Sequence, residues 1–565
     1  MGQQNANAGG ISAEAFQNSL NQAWQQALAS FQQLGGSDPL WGGVRFEPDQ
    51  LQALQQAYLK EATELWNQGL NQNPALKDRR FSDESWSHNP MSAFSAALYL
   101  LNTRSLMGLA NAVQADPKTR ERIRFAVEQW SAASAPSNSL LLNAEAQQKA
   151  IETKGESIAK GVQNLLHDLR QGHVSMTDES LFEVGKNVAT TPGQVVFEND
   201  LFQLIEYKPL TSKVHQKPFL LVPPCINKFY ILDLQPENSF IRYVVSKGHR
   251  TFVVSWRNPD SSHAHVSWDD YIATGAIEAI RVVQDIAKVA QINALGFCVG
   301  GTILTTALAV LAARGEKPVA SVTLLTTLID FKDSGLLDVF IDENFVKFRE
   351  MQFANGGLMP GRDMATTFSF LRPNDLVWNY VVKNYLKGET PPPFDLLYWN
   401  SDATNLPGPM FAWYLRNTYL ENRLIQPGKA LVCGEPIDLR LVDLPIYIYG
   451  SKEDHIVPIQ AAYASTRVLP GKKRFVMGAS GHIAGVINPP QARKRCHWVT
   501  ADAQLPDQLE QWSAKAKEVA GSWWDDWSNW LQPHAGPMVA APKTSGRGIY
   551  KAIEPAPGRY VKAKA

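Results

Sequence analysis

The stretch Asn293-Ala-Leu-Gly-Phe-Cys-Val-Gly-Gly-Thr302, NALGFCVGGT, holds one cysteine, Cys298, with a glycine two positions to either side. Ile292 to Phe297 is an apolar run of strand length, and Thr302 to Arg314 is rich in helix formers. Strand, tight turn and helix therefore surround the thiol. Gly296-Phe-Cys-Val-Gly300 has the form G-x-S-x-G of a nucleophile elbow with cysteine replacing serine, a turn so sharp that a Cβ at the flanking positions would clash. Such a turn pushes the sulfur out over the sheet. The N-terminus of the following helix favours a thiolate there, and the backbone N–H of Val299 can face a carbonyl oxygen that is becoming negative. An isolated cysteine also suits a glycine-rich bend as a small buried hydrophobe, and the pentapeptide alone does not separate the two readings.

The order of residues downstream separates them, because an elbow of this type needs an acid and a base at the ends of later strands. Pro445-Ile-Tyr-Ile-Tyr449 is strand-like and runs into Gly450-Ser-Lys-Glu-Asp-His-Ile-Val-Pro458, which sets Asp454 just beyond a strand end. Lys473-Arg-Phe-Val-Met477 followed by Gly478-Ala-Ser-Gly-His-Ile-Ala-Gly485 does the same for His482. His482 could take the thiol proton while Asp454 orients the imidazole and stabilises its cation. Glu453 and His455 are neighbouring rivals; Asp454 is preferred as the acid, Glu453 reads as a solvated loop charge, and His455 as a structural histidine or a second polar group. A second oxyanion donor is expected in the loop after the third strand of the sheet, where Leu221-Val-Pro-Pro-Cys-Ile-Asn-Lys228 lies. The backbone N–H of Ile226 is assigned as the partner of Val299, with Cys225 a packing residue.

Outward from this centre, Gln194 to Tyr207 reads as two β segments around an Asn199-Asp200 turn. Phe219 to Val222, Thr251 to Trp256 and Ser321 to Leu325 are further short strands, with a helical stretch from Asp269 to Ala290. Strand and helix alternate, so a parallel sheet is expected. The fold class is α/β: an α/β-hydrolase-type catalytic domain over residues 186–565, interrupted at about 328–442 by a lid rich in aromatics and prolines. Residues 37–185 read as an all-helical domain, since Leu51, Leu54, Ala62, Leu65 and Trp66 repeat at helical spacing. Residues 1–36 form an amphipathic segment with Phe16, Leu20, Trp24, Leu28 and Phe31 on one face, suited to packing or to an apolar surface. Trp523-Trp-Asp-Asp-Trp-Ser-Asn-Trp530 reads as a packed helix, and the Pro-rich, basic stretch after it as an exposed end.

The 565 residues exceed one ordinary core. Lys+Arg and Asp+Glu both number 54, so no global field favours nucleic acid or an anionic membrane. The four cysteines form no CxxC pair, the N-terminus lacks the regions of a signal peptide, and no apolar run reaches the ~20 residues of a membrane span. A reducing cytoplasm is the simplest setting. No metal-ligand cluster and no cofactor motif is apparent.

GFCVGG, Leu221 to Lys228, Phe252-Val-Val-Ser-Trp-Arg-Asn-Pro-Asp260, Glu453 to Pro458 and Gly478 to Pro489 together resemble the polyhydroxyalkanoate synthases, specifically the single-polypeptide class I enzymes. The resemblance runs from Asp78-Arg-Arg-Phe81 to Ala565. It implies an acyltransferase that polymerises (R)-3-hydroxyacyl-CoA, chiefly the 3-hydroxybutyryl ester, and releases CoA, with Cys298, Asp454 and His482 in the catalytic places. It also implies a homodimer through the lid region, an N-terminal domain that aids dimerisation and granule attachment, and a cytoplasmic location at polyester granules. CoA enters as part of the substrate, so no cofactor is expected; its phosphates need cations, and Arg257, Lys228 and Arg372 lie in segments that could flank the site. Two other readings keep the same residues: a cysteine-nucleophile hydrolase, a thioesterase or esterase, and a non-catalytic granule protein, against which the retained acid, base and nucleophile argue.

Overall fold

The computed structural model describes residues 45–68, 76–501 and 504–565, with a few helical positions between 18 and 29. Phe16, Leu20, Leu28 and Phe31 of the expected apolar stripe lie outside the described residues. The chain divides into two compact units, Met1–Met176 with Arg372–Pro391, and Thr177–Leu371 with Pro392–Ala565. The border expected at 185/186 thus falls at 176/177, and part of the expected lid belongs to the helical unit. Side chains far apart in sequence cause this. The Asn164 amide donates to the carbonyls of Asn384 at 2.9 Å and Glu389 at 3.1 Å, and the Tyr385 hydroxyl donates to Asp168 at 2.6 Å.

In the helical unit, α1 (Pro48–Gln68), α2 (Pro90–Ala112), α3 (Pro117–Ala133) and α4 (Glu156–Gln171) follow in chain order. The side chains of Asn89 and Asp116 cap α2 and α3, each with proline at the first helical position. Tyr58 and Ala62 of α1, Leu109 and Ala110 of α2 and Ile123 of α3 close a core with Trp24, which stacks on Tyr58 at 5.5 Å. The one described apolar residue of the N-terminal stripe is therefore buried. No described helix is long and apolar enough to cross a membrane.

The second unit is built on an eleven-stranded sheet. Its strands are β1 (Gly193–Glu198), β2 (Phe202–Tyr207), β3 (Phe219–Val222), β4 (Thr251–Trp256), β5 (Ile292–Phe297), β6 (Val319–Leu325), β7 (Ile446–Ser451), β8 (Lys473–Gly478), β9 (Cys496–Val499), β10 (Lys517–Ala520) and β11 (Glu554–Pro555). Their order across the sheet is β10-β9-β8-β7-β6-β5-β3-β4-β2-β1-β11. From β4 to β8 every pairing is parallel, and the remaining pairings at both sides are antiparallel. The chain leaves β3 toward β4 and returns to β5 on the other side of β3, so the loops after β3 and β5 separate at a switch point where α/β sheets bind ligands. Helix α5 (Val299–Ala313) springs directly from β5; from Val299 to Leu311 all of it is buried, as its nearly continuous apolar sequence requires.

Between β6 and β7 the insertion shares its core with the sheet. Val346, Phe353, Met359, Leu406, Met410, Phe411 and Leu415 belong to the same apolar cluster as β5, β6 and α5. The tryptophan-rich stretch forms α6 (Trp524–Leu531), with Trp524 and Trp527 buried and the Trp527 indole donating to Thr323 Oγ1 of β6 at 2.9 Å. The end of the chain differs from the exposed tail expected: β11 pairs with β1, and Val561 is 1% exposed.

Candidate active site

Cys298 stands between β5 and α5 with φ 53° and ψ −130°, a strained conformation for a residue that bears a Cβ. Two close approaches make that turn and explain two glycines. A Cβ on Gly296 would lie 2.3 Å from Gly301 Cα, and one on Gly300 would lie 2.3 Å from the Val222 carbonyl oxygen and 2.5 Å from that of Pro223. The elbow therefore packs backbone to backbone against the loop after β3. The Cys298 N–H donates to the Leu325 carbonyl at 3.0 Å, which anchors the turn to β6 and leaves the thiol half-buried at the N-terminus of α5.

Asp454 follows β7 and His482 follows β8, and the parallel pairing of those strands brings the two loops together. His482 Nδ1 lies 2.7 Å from Asp454 Oδ2, with both side chains almost fully shielded from water. Asp454 Oδ1 accepts the backbone N–H groups of Ile456 at 2.8 Å and Val457 at 2.9 Å, so the carboxylate is fixed from both ends. Glu453, the rival acid, is exposed. Burial disfavours the imidazolium of His482, but the charges of Asp454 and Cys298 and hydrogen bonds to both outweigh it and push its pKa up to about 10. Cys298, His482 and Asp454 thus form one electrostatic unit, steadied by the ring of Phe297 stacked 5.8 Å from that of His482.

Of the assigned oxyanion donors, Val299 begins α5. Ile226 sits in the loop after β3, where its carbonyl accepts from the Thr404 N–H at 3.1 Å; among the described residues its own N–H is given to no internal acceptor. Cys225 is buried beside it, and burial, with the nearby Cys298, pushes its thiol up to about 12, which suits packing rather than attack. The three cations expected to flank the site are engaged within the protein. Lys228 is 2% exposed, and its ammonium donates to the Ala563 carbonyl at 2.6 Å. Arg257 pairs with Asp260 at 3.4 Å and lies over the Tyr560 ring, while Arg372 belongs to the helical unit and pairs with Asp375 at 3.7 Å.

The sequence model described as "Poly-beta-hydroxybutyrate polymerase (PhaC) N-terminus" matches residues 77–244, and that of the alpha/beta hydrolase fold matches residues 218–489. The chain is 61% identical to a poly(3-hydroxyalkanoate) polymerase subunit PhaC of Cupriavidus necator, over 94% of this chain and 91% of the relative. The chain belongs to the poly(3-hydroxyalkanoate) polymerase family. A polymerase subunit PhaC of Rhizobium meliloti is 40% identical over 87% of this chain and 81% of its own. Among solved structures, a monoacylglycerol lipase of Paleococcus ferrophilus aligns with 59% of this chain and 99% of its own, at 11% identity and a TM-score of 0.34.

An aromatic-rich lid was expected from the sequence; which of its rings lie near the nucleophile was not. Tyr414 and Tyr419, on a helical segment of the insertion, are half-buried against the core of the sheet, their ring centroids 5.5 Å apart, and burial together with the nearby Cys298 raises both phenols. Trp268 stacks on Trp413 at 4.9 Å and on Tyr414 at 5.3 Å, and Phe331 meets Tyr419 edge-on at 4.9 Å. The WYLRNTY run held the signal, aromatics one helical turn and a half apart, but nothing local tied it to Cys298.

Proposed function

We propose that this chain polymerises (R)-3-hydroxyacyl-CoA, chiefly the 3-hydroxybutyryl thioester, into polyester with release of CoA, by way of a thioester on Cys298. The observation that carries the reading is a cysteine at a strained elbow, charge-coupled to a buried His482–Asp454 pair, in a member of the polymerase family. In the first half-reaction the Cys298 thiolate attacks the substrate carbonyl, and the N–H groups of Val299 and Ile226 receive the developing oxyanion. The C–S bond to CoA breaks, and the leaving CoA thiolate takes the proton of the His482 imidazolium. In the second, the 3-hydroxyl of the next unit attacks the Cys298 thioester, His482 accepts its proton, and the sulfur leaves as thiolate.

The coupling favours this alternation. While Cys298 is charged, it helps hold the proton on His482; once it is acylated, that contribution disappears and the imidazole moves toward the neutral base that the hydroxyl needs. A thioester keeps the acyl group nearly as activated as in the substrate, and the oxoester formed is lower in energy, so each cycle runs downhill. Water would compete for the thioester, and the aromatic cluster of Tyr414 and Tyr419 with Trp268, Trp413 and Phe331 packed around it works against that.

The same reading places the enzyme in the cytoplasm at the surface of its insoluble product, as a homodimer. Ile158, Val162, Leu165, Leu166 and Leu169 expose an apolar stripe along α4, which suits such a surface. The test is the product formed from 3-hydroxybutyryl-CoA: long polyester and free CoA are expected, and free 3-hydroxybutyrate as the main product would favour the hydrolase. Cys298→Ala should stay folded and release no CoA; retained turnover would move the nucleophile elsewhere, with Cys225 the first suspect.

A further inference from the structure

The last described residues of the chain are stitched into the end of the sheet that carries the candidate active site. Tyr560 donates its backbone N–H to the Gln203 side chain at 3.2 Å and its hydroxyl to the Asn199 carbonyl at 3.0 Å. The Ala563 carbonyl accepts the Lys228 ammonium at 2.6 Å, and the Lys564 carbonyl accepts the Asn258 amide at 2.7 Å. The Lys564 ammonium pairs with Asp402 at 3.2 Å and lies 5.3 Å above the Tyr398 ring. Lys228 and Asp402 are each 2% exposed, so these are interior partners, not surface ornaments.

The same partners hold the loop after β3. Lys228 is two residues from Ile226, and its own carbonyl accepts the Trp399 indole at 2.7 Å. Asp402 also accepts the Tyr230 hydroxyl at 2.9 Å, Thr404 donates to the Ile226 carbonyl at 3.1 Å, and Asn405 donates its N–H to Asn258 at 2.9 Å. Segments 226–230, 256–258 and 399–405 thus converge on residues 563 and 564. A buried ammonium that loses its acceptor must find water or another partner. If residues 560–565 leave, water entering their place or the neighbouring Asp402 must take over from the Ala563 carbonyl, and the rearrangement of Lys228 is passed to the loop next to Gly300 and Cys298.

We propose that the segment Tyr560–Ala565 is a positioning strap for the reaction, which through Lys228, Asn258 and Asp402 holds the loop that presents the Ile226 N–H to the acyl oxygen. It rests on the polymerase reading above, and assigns Lys228 and Lys564 as positioning residues. With the strap seated, the loop keeps its register against the elbow. With the strap displaced, the oxyanion loses the aim of one of its two donors.

The test compares the full chain, a chain ending at Arg559, and the milder Lys564→Ala, with 3-hydroxybutyryl-CoA as substrate and thermal melting as the fold control. Loss of one oxyanion donor costs about 10²–10³ in kcat, and a donor that is displaced rather than deleted falls at or below the lower end. The shortened chain should therefore lose about tenfold to a hundredfold in kcat with KM little changed, and millimolar hexapeptide Tyr-Val-Lys-Ala-Lys-Ala should restore part of it. Lys564→Ala should lose a few-fold in kcat at an unaltered melting temperature. Wild-type kcat in the shortened chain, or a raised KM at unchanged kcat, would overturn the strap; should the shortened chain not fold, wild-type kcat in Lys564→Ala would do so. CoA release by Cys298→Ala would instead overturn the reading of the site beneath it.

Discussion

Asp454→Asn tests whether the carboxylate sets the proton on His482. Asp454 Oδ1 accepts two backbone N–H groups, from Ile456 at 2.8 Å and Val457 at 2.9 Å, while Oδ2 faces His482 Nδ1 at 2.7 Å. Asparagine has one oxygen, and turning its NH₂ toward the two N–H groups would set donor against donors. The amide oxygen must therefore take the Oδ1 place, and the NH₂ must face Nδ1. Nδ1 becomes an acceptor and the proton moves to Nε2, the nitrogen that should receive the proton of the attacking hydroxyl. Both side chains are nearly sealed from water, at 0% and 4% exposure, so solvent offers no relief. A misplaced tautomer of this kind costs on the order of 10⁴ in kcat, and general base catalysis as a whole about 10²–10⁴. Elongation should thus fall by about 10³–10⁴. Acylation should fall less, by roughly 10–10², because a thiol with a reference pKa near ~8.5 needs far less help than an alcohol. With labelled 3-hydroxybutyryl-CoA the variant should release CoA in a stoichiometric burst and hold short acyl chains on Cys298, visible by intact-protein mass. Elongation within tenfold of wild type, or the absence of any acyl adduct, would refute the reasoning.

Gly300→Ala drives its Cβ into two backbone oxygens that no rotamer can clear, so it should lower unfolding free energy by about 1–3 kcal/mol and CoA release at least tenfold. Gly481→Ala, whose Cβ would meet nothing closer than the Glu453 carbonyl oxygen at 3.6 Å, should melt close to wild type; equal losses in the two would sink the packing account. The raised pKa of His482, about 10 against an unfolded value near ~6.5, favours the protonated fold, so its contribution is full below about pH 6.5 and is lost as pH rises toward 10. Urea unfolding of wild type and Asp454→Asn should therefore differ most near pH 6 and converge in alkali, and a difference that grows with pH would contradict the sign. Deleting residues 1–75 removes Trp24, Tyr58 and Ala62 from the core they share with Leu109 and Ala110, so calorimetry should show the helical unit destabilised and the transition of the second unit, residues 177–371 with 392–565, unchanged.

The elbow and the residues that pair beside it, Asp454 and His482, were legible in the sequence because each rests on a local signature. Cys298 lies where an apolar run of strand length meets a helix through glycines, and Asp454 and His482 lie just past two further strand-like runs. Parallel strands place such loops at one edge, so chain order alone implied that they converge. Asp454 and Glu453 are adjacent and chemically alike in the sequence; the burial of one and the exposure of the other is a tertiary fact. The cations show the limit most clearly. Lys228 and Arg257 lie after β3 and β4, yet Lys228 is held by Ala563 and Arg257 lies over Tyr560, each more than three hundred residues away, and no periodicity in either segment encodes the other. The same holds for Tyr414 and Tyr419 near Cys298, and for residues 372–391, which read as part of a lid and pack in the helical unit. Hydrophobic period and turn chemistry act over a few residues and so can be read along the chain. Which loop receives which distant side chain is decided only when the sheet closes, because burial of an ammonium or a phenol depends on what the rest of the fold brings to it.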